Sequence, residues 1–412
     1  MSDARTGRPG PLAGIRVVEL ASELGAYAGK LLADMGADVI VVEPPGGHPT
    51  RAYGPFVDDR PGPERSLWWW AYNTSKRGVV ADLDTPEGRD RFRRLVASAD
   101  IVLEGEPPDR LAGLGVDHTD LRAQRPELIW VSVTPFGRTN PRASEPATDL
   151  TILAGGGAAW SCGYDDHSLP PVRGGGNQGL QTASVFAVLG ALTALVHRDA
   201  GGPGQHIDVS AHAATNVSTE IATVSWLLSG DTVQRQTGRH AMTQPTMEVQ
   251  VQAGDGRWVT TGFAPHSADD YRNLLEWMDS LGIRDEFPEA FFLELGVERG
   301  GVDPRSLDGD AEGMAIFGAG RDALVFIASR IGAYDFFVGS QQRDMQCGIV
   351  FTPEEALADV HFRERGFPVE VHHDDLGRSF TYPGVPVAFR GTPGQVTRAP
   401  RIGEHDDEVF HA

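Results

Sequence analysis

Short apolar runs alternate with longer helix-like segments over the first part of the chain. Ile15–Leu20 and Asp38–Glu43 resemble strands and flank a helix-like segment at Ala26–Met35. Strand, helix and strand together take about 30 residues, the size of a parallel βαβ unit. Repeated βα units predict an α/β fold with a large doubly wound, Rossmann-like sheet. Further strands are expected at Val79–Leu83, Ile101–Glu104, Leu128–Val133 and His206–Ser210, and a helix at Pro86–Ala97.

The pattern changes after the middle of the chain. Gln178–His197 is rich in Ala, Leu and Val and too long for a strand, which predicts a buried helix. Beyond Gly230, short apolar runs on either side of Gly254–Gly256 predict a hairpin. A chain of 412 residues exceeds what one hydrophobic core usually supports. We therefore expect a large domain over residues 1–228, a smaller α+β domain over 229–340 with a loop-rich stretch at about Glu298–Gly320, and a segment 341–412 that returns to the large domain.

Composition and charge narrow the range of partners. The chain is 40% hydrophobic and 23% charged, as in a globular protein. Its formal charge of −21 argues against a nucleic acid or an anionic membrane surface, because both select a basic face. Cys162 and Cys347 have no partner at metal-ligand spacing, which fits a reducing compartment. We expect no metal and no nucleic acid, whereas a nucleotide-like substrate stays possible because it needs only a few local cations.

The first residues of the chain do not resemble a secretory signal. Met1–Pro11 is polar and lacks the apolar core of a secretory signal, and no stretch is expected to reach membrane-spanning length. These features predict a cytoplasmic protein with no membrane partner.

Local sequence gives Asp149 two interpretations. It stands at the start of the apolar, helix-like run Leu150–Leu153, where an aspartate favours helix capping because its oxygens accept backbone N–H bonds. A positioned, partly desolvated carboxylate is also a nucleophile that forms covalent acyl intermediates. Sequence spacing alone leaves both open. The chain contains no G-x-G-x-x-G fingerprint, nucleophile elbow, Walker A loop or H-E-x-x-H motif, so the dinucleotide, hydrolase, kinase and metalloprotease interpretations lose support.

Read in order, several segments resemble class III CoA-transferases, the family of formyl-CoA transferase, which shares its fold with α-methylacyl-CoA racemases. Asn73–Arg77 is similar to the family's N-x-x-K-R signature, and Val79–Arg89 (VVADLDTPEGR) to the L-D-L-x-x-P-E-G-R segment after it. The likeness runs from Pro11 to Val409. Other matching segments are Pro11–Ala21 (PLAGIRVVELA), Leu31–Gly47 (LLADMGADVIVVEPPGG), Val131–Gly137 (VSVTPFG), Gly201–Ala214 (GGPGQHIDVSAHAA) and Arg398–Phe410 (RAPRIGEHDDEVF).

The resemblance implies an architecture and a reaction. It implies two-domain subunits interlocked as a homodimer, acyl-CoA and carboxylic acid substrates, and no tightly bound cofactor. Asp149 falls on the family's catalytic aspartate, which implies an acyl-aspartyl mixed anhydride and then an aspartyl-CoA thioester. The resemblance also suggests contacts to CoA from Asn73, Lys76, Arg77, Gly25, Ala26 and Thr134, and an acyl pocket near Gly156, Gly157, His240 and Trp69.

The chain also departs from the family pattern. The usual A-G-P after the first strand is Gly25-Ala26-Tyr27, and the usual E-N-F is Glu104-Gly105-Glu106, so contacts to CoA are expected to differ. Gly238–Pro245, where relatives carry a glycine-rich loop, has one glycine. A racemase needs two bases, yet Thr148 and Asn177 stand at the matching positions and neither is one. A non-catalytic CoA-binding subunit of a heteromeric enzyme is the other alternative.

Overall fold

The computed structural model describes residues 9–304 and 306–411. These residues separate into two compact units. Unit 1 contains the described residues up to Cys162, then Pro170–Asp231, and then the residues from Leu357 onward. Unit 2 contains Gly163–Leu169 and Thr232–Ala356. We describe each unit by itself.

Unit 1 is built on a parallel sheet of six strands. The strand order is β3-β2-β1-β4-β5-β6, as expected for a doubly wound fold. Every neighbouring pair is parallel. The strands are β1 (Arg16–Leu20), β2 (Asp38–Glu43), β3 (Arg77–Val80), β4 (Ile101–Glu104), β5 (Ile129–Thr134) and β6 (His206–Ser210).

Helices cover both faces of this sheet, which confirms the predicted fold class. One face packs Val17, Ile129 and Val131 against α1 and α7, while the other packs Val18 and Val102 in a separate apolar cluster with α3. Nearly continuous Val/Ile runs are what a sheet buried on both faces requires. The helices of this part are α1 (Ala26–Asp34), α2 (Leu67–Tyr72), α3 (Pro86–Val96), α4 (Arg110–Gly113), α5 (His118–Gln124), α6 (Asp149–Gly155), α7 (Gln178–Asp199), α8 (Ala211–Val217) and α9 (Glu220–Ser229).

Helix α7 corrects one expectation from the sequence. Its 22 residues are long and apolar enough to cross a membrane by length and composition, although no such stretch was expected. Half of its most apolar window is nevertheless buried in the protein. Leu180, Ala183, Ala187 and Ala191 pack into the sheet cluster, so this is the core helix that the apolar run predicted.

Unit 2 combines short antiparallel strands with four longer helices. The strands β9 and β10 pair antiparallel, with Val251 opposite Val259, which confirms the predicted hairpin. The loop-rich expectation for Glu298–Gly320 is partly wrong, because Asp310 caps a long helix that begins at Ala311. The elements are β7 (Gln234–Gln236), β8 (Arg239–Met242), β9 (Gln250–Gln252), β10 (Trp258–Thr260), α10 (Ala268–Leu281), α11 (Ala290–Arg299), α12 (Ala311–Arg330), α13 (Ala333–Gln341), β11 (Gly348–Ile349) and α14 (Pro353–Ala358).

The unit boundaries differ from those drawn on the sequence at 229 and 341. Strand β11 pairs with β10, with Ile349 opposite Val259, which holds the chain in unit 2 beyond residue 341. The early segment Gly163–Leu169 belongs to unit 2 because Asp165 bonds Arg239 and His167 bonds the Arg235 carbonyl.

The C-terminal part of unit 1 is tied back to the sheet. It contains α15 (Val360–Glu364), the antiparallel pair β12 (Pro368–His373) and β13 (Arg378–Pro383), and α16 (Asp406–Phe410). Arg51, beneath the ring of Trp69, donates to both carboxylate oxygens of Glu43 and to the carbonyl of Pro400. This buried guanidinium joins the C-terminal segment to β2.

Candidate active site

Asp149 begins α6, but its carboxylate caps a different helix. Thr148 is the N-cap of α6 and forms a capping box with Thr151. Oδ1 of Asp149 instead accepts the amides of Gly179 and Leu180 at 2.8 and 3.2 Å, in the first turn of α7. Glycine at 179 allows this approach, since a Cβ there would lie 3.1 Å from Oδ1. The carboxylate is 6% exposed and satisfies a helix N-terminus that Asn177 leaves uncapped by its side chain.

Arg173 holds the other oxygen of Asp149. Its Nη1 donates to Oδ2 at 2.5 Å and to the Gly176 carbonyl at 3.0 Å. The side chain of Arg173 is 39% exposed, and its Nη2 and Nε make no hydrogen bond recorded within the described ranges. A guanidinium with one edge engaged and one edge open can receive a second carboxylate in bidentate fashion. The sequence interpretation missed Arg173, and its signal was a lone arginine before the run Gly174–Gly176.

An open crevice of about 290 Å³ lies at the carboxyl ends of β4 and β5. The strand order reverses between β1 and β4, and such a switch point is where doubly wound sheets bind ligands. Thr134, the last residue of β5, lines the crevice, together with Leu24, the neighbour of Gly25. Its remaining lining is Gly105–Pro108, Pro135 and Ala143–Ala147.

The crevice carries carboxylates whose cationic neighbours are already engaged. Glu106 pairs with Arg110 at 3.0 Å, and Glu145 pairs with Arg142 at 2.8 Å. Burial raises the pKa of Glu106. An anionic ligand in this crevice therefore meets ion pairs at its rim and must compete for the arginines.

Lys76 corrects a prediction about CoA binding. Its side chain is fully buried, and Nζ lies 2.8 Å from Oε2 of Glu19. It also donates to the Ala26 carbonyl at 2.9 Å and to Oδ1 of Asn73 at 2.8 Å. A lysine with these partners joins β1, α1 and α2 and is not available to phosphates. Asn73 is buried too, and its amide donates to the Trp69 carbonyl.

Arg77 also pairs with carboxylates of unit 1. On β3, it donates to both carboxylate oxygens of Asp38 at 2.8 and 2.7 Å and to Glu408 at 2.8 Å. The motif that suggested phosphate contacts therefore connects two strands and the C-terminal helix.

Gly25 and Ala26 open α1 directly after the β1 turn. Gly25 is the N-cap residue, and its amide donates to Oγ of Ser22 at 2.9 Å. Both residues are buried. They stay candidates for contact with CoA through their place at the carboxyl edge of the sheet.

Close packing at Gly156 and the backbone conformation of Gly157 explain why these two residues are glycines. A Cβ on Gly156 would lie 1.8 Å from Oγ1 of Thr215, so α8 approaches the backbone here. Gly157 has φ +95°, a conformation that side chains disfavour. Neither feature requires an acyl group nearby.

Of the three consecutive tryptophans, Trp69 is enclosed in the core. It is 2% exposed, and its Nε1 donates to the Pro400 carbonyl, so it does not line an acyl pocket. Trp68 is the half-buried member and stacks on Tyr72 at 4.4 Å. His240 is exposed on β8 of unit 2, where its carbonyl accepts from Gln236.

Two further aspartates lie in Gly163–Leu169. The carboxylate of Asp165 accepts hydrogen bonds from Nη1 and Nη2 of Arg239. These hydrogen bonds lower the pKa of Asp165 to about 2. Asp166 is exposed, and within the described ranges its carboxylate accepts only from the amide and hydroxyl of Ser168, both at Oδ1. Those hydrogen bonds lower the pKa of Asp166, so its open carboxylate is ionised at neutral pH. In residues 9–304 and 306–411, no three His, Cys, Asp or Glu side chains converge as a metal site.

A family model, CoA-transferase family III, matches residues 12–288 and 336–406. This chain belongs to CoA-transferase family III. It is 33% identical over 398 residues to the succinyl-CoA:(R)-benzylsuccinate CoA-transferase subunit BbsE of Thauera aromatica, covering 96% of this chain and 92% of that one. It is 32% identical to the succinate–glutarate CoA-transferase of Agrobacterium fabrum, covering 100% of this chain and 97% of the relative. A CaiB/BaiF family protein from Brucella suis superposes with a TM-score of 0.77 at 27% identity, covering 98% of this chain and 99% of that structure.

Membership in CoA-transferase family III confirms the predicted family and the enzyme class. CoA-transferases use CoA thioesters as substrates. The residues at the two racemase positions have structural contacts. Thr148 caps α6, and Asn177 donates to the Tyr72 hydroxyl at 3.3 Å.

Proposed function

We propose that this chain transfers CoA from a succinyl-CoA-like thioester to a dicarboxylic acid. The observation that carries the proposal is similarity over nearly the whole chain to transferases named for such substrates. These relatives are named for succinate with glutarate, and for succinyl-CoA with (R)-benzylsuccinate or D-citramalate. Arg173 supports the choice of acid, because its open edge can bind a second carboxylate.

The proposed reaction proceeds in four balanced steps on one aspartate. A carboxylate oxygen attacks the thioester carbonyl, a C–O bond forms, the C–S bond breaks and CoA leaves as thiolate. The thiolate then attacks the aspartyl carbonyl of the anhydride and releases the first acid. The acceptor carboxylate attacks the resulting aspartyl-CoA thioester and again frees the thiolate. The thiolate finally attacks the acceptor's acyl carbonyl, which yields the new acyl-CoA and restores the aspartate.

Asp149 is the nucleophile that the resemblance implies, and we retain it as the first candidate. Its Oδ1 is fixed by α7, so attack requires Oδ2 to be freed from Arg173. Arg173 precedes three consecutive glycines, whose backbone freedom favours such a movement.

Asp166 is a second candidate, favoured by its open carboxylate. A nucleophile must present an unpaired oxygen to the substrate, and Asp166 does so without any rearrangement of an ion pair. If Asp166 is the nucleophile, Asp149 serves as the cap of α7 and the anchor of Arg173.

We place CoA in the switch-point crevice, with Gly25, Ala26 and Thr134 as contacts. Arg110 and Arg142 are the nearby cations that phosphates would recruit from their glutamates. We place the reaction in the cytoplasm, because a multiply charged thioester does not enter an apolar bilayer.

We propose that the active form is a dimer, interlocked as the resemblance implies. Trp226, Leu227 and Leu228 of α9 are 63%, 76% and 82% exposed, which is a large apolar surface for a free subunit. A heteromeric enzyme is the alternative, because some relatives are named as subunits. The carboxylates in the crevice favour the heteromeric alternative, since they repel the phosphates of CoA and a partner subunit could bind CoA instead.

The test is exchange by the purified chain alone. With succinyl-CoA as donor, we expect CoA transfer to glutarate, citramalate or labelled succinate, and a dimer by light scattering. No transfer to any acid in the presence of a folded dimer would contradict the homomeric proposal.

A further inference from the structure

Four aromatic side chains of unit 1 contact one another in a row, which we call the aromatic ladder: Tyr53, Trp68, Tyr72 and Tyr27. Trp68 and Tyr72, four residues apart on α2, stack with ring centroids 4.4 Å apart and planes 9° apart. Tyr53 meets Trp68 edge-on at 5.5 Å, and Tyr27 meets Tyr72 at 5.8 Å. The ladder therefore runs from the loop before α2 to the first turn of α1.

Core packing does not explain the ladder. The neighbouring Trp69 and Trp70 are buried, and their indole N–H groups donate to carbonyls of the chain. Trp68 is only half-buried, and its N–H has no acceptor recorded in the part of the chain that the structure describes. Tyr53 is 39% exposed. Tyr72 is buried at 9% exposure, so Trp68 and Tyr53 form the accessible face of the ladder. Partly exposed aromatic rings are typical contact groups for a planar ligand.

The ladder adjoins the carboxylate that caps α7. The Tyr72 hydroxyl accepts from Asn177 at 3.3 Å and from Gln181 at 3.0 Å. The amides that hold Asp149 belong to Gly179 and Leu180, which lie between those two residues. Two residues of helix advance about 3 Å along the axis. The ladder, Asp149 and Arg173 thus share one end of α7.

We propose that the aromatic ladder selects the acid substrate, and that the site accepts dicarboxylic acids that carry an aromatic group. This inference rests on the proposed function. Arg173 would bind one carboxylate by its open edge, while the aryl group packs against Trp68 and Tyr53. The adenine of CoA is another planar group, and the test below separates it from the acid.

The experiment compares four acceptor acids with succinyl-CoA as donor. Labelled succinate and phenylsuccinate carry two carboxylates, while butyrate and 3-phenylpropionate carry one, so each feature is varied independently. Trp68→Leu removes the ring, Trp68→Phe keeps an aromatic face, and Trp258→Leu removes an exposed tryptophan of unit 2 as the matched control.

We expect wild type to prefer phenylsuccinate to succinate in kcat/KM. Trp68→Leu should lower that preference at least about tenfold, with the KM for succinyl-CoA changed less than about twofold. Trp68→Phe and Trp258→Leu should keep the preference.

An unchanged preference in Trp68→Leu would overturn the inference. An equal loss for all acids with a raised KM for succinyl-CoA would also overturn it, by assigning the ladder to CoA. Transfer to succinate with no preference for aryl acids in wild type would refute the inference and leave the proposed function intact. No transfer to any acid would refute both.

Discussion

Arg173 and Asp149 form an ion pair at 2.5 Å in which each partner has a second attachment. Asp149 is fixed by two amides of α7, and Arg173 by the Gly176 carbonyl. The pair links Arg173, in the segment between α6 and α7, to the first residue of α6. It also leaves one edge of a guanidinium exposed beside a buried carboxylate, which is a suitable place to receive an acid substrate.

The first prediction concerns Arg173. Arg173→Gln should lower kcat/KM for succinate by at least about tenfold, because the variant loses a charge-assisted hydrogen bond to one carboxylate of the acid. Transfer to butyrate should change less than about twofold, because that acid has no second carboxylate. Arg173→Lys should recover part of the activity with succinate. Equal losses for both acids would show that Arg173 acts through Asp149 and not on the acid.

The second prediction concerns Lys76 and Glu19. Burial lowers the pKa of Lys76 and raises that of Glu19, and their mutual attraction opposes both shifts. Lys76→Met leaves a buried carboxylate without its cation and should cost about 3–5 kcal/mol in the free energy of unfolding by urea. Lys76→Met with Glu19→Met should restore much of that loss. A raised KM for succinyl-CoA at unchanged stability would instead return Lys76 to the CoA site.

The third prediction concerns the charge of the crevice. Glu106→Gln should lower the KM for succinyl-CoA a few-fold, about 2- to 5-fold, because it frees Arg110 and removes an acid near the phosphates. The gain should shrink in high salt. Glu87→Gln, on the exposed start of α3, is the control with the same change in charge. If Glu87→Gln lowers the KM for succinyl-CoA equally, the change comes from the net charge of the protein and not from the charge of the crevice.

The fourth prediction concerns acid stability. Burial, with the charges of His118 and Arg138, lowers the pKa of His206 from 6.5 to about 4. His206 stacks on His118 at 3.8 Å and bonds the Ser132 hydroxyl, which also donates to Glu104.

Between pH 6.5 and 4 the unfolded chain binds the His206 proton and the folded chain does not. The stabilisation is therefore complete above pH 6.5 and is lost as the pH falls toward 4. His206→Gln should flatten the Tm profile over that range, whereas His361→Gln, on the surface, should not. An unaltered slope in His206→Gln would show that other groups control acid unfolding.

The sheet could be predicted because its pattern is local. Strands buried on both faces are continuous apolar runs, so β1, β2, β4 and β5 fall within one residue of expectation. Part of the loop-rich expectation for Glu298–Gly320 failed because Gly and Asp are abundant there. Burial of Ile316, Ala319 and Ala323 outweighs the low helix propensity of those residues.

Side-chain direction was the part that the sequence did not provide. Successive residues of a helix point about 100° apart, so Trp69 faces the core while Trp68 reaches the surface. Lys76 and Arg77 match a motif that suggested phosphate binding, but Glu19 and Asp38 come from strands β1 and β2 and occupy their charges. Asp149 also caps α7, a helix that begins 29 residues after it.

Covalent catalysis by an aspartate leaves an acyl or CoA group on that side chain, which chemical trapping detects. The enzyme is incubated with succinyl-CoA, quenched with hydroxylamine or reduced with borohydride, and the altered residue is located by peptide mass spectrometry. We expect modification of Asp149, or of Asp166 if the open carboxylate is the nucleophile. The matching Asp→Asn variant should lose both the modification and CoA exchange. Exchange that proceeds with both aspartates unmodified, or that survives replacement of both, would exclude an aspartyl intermediate at these two residues.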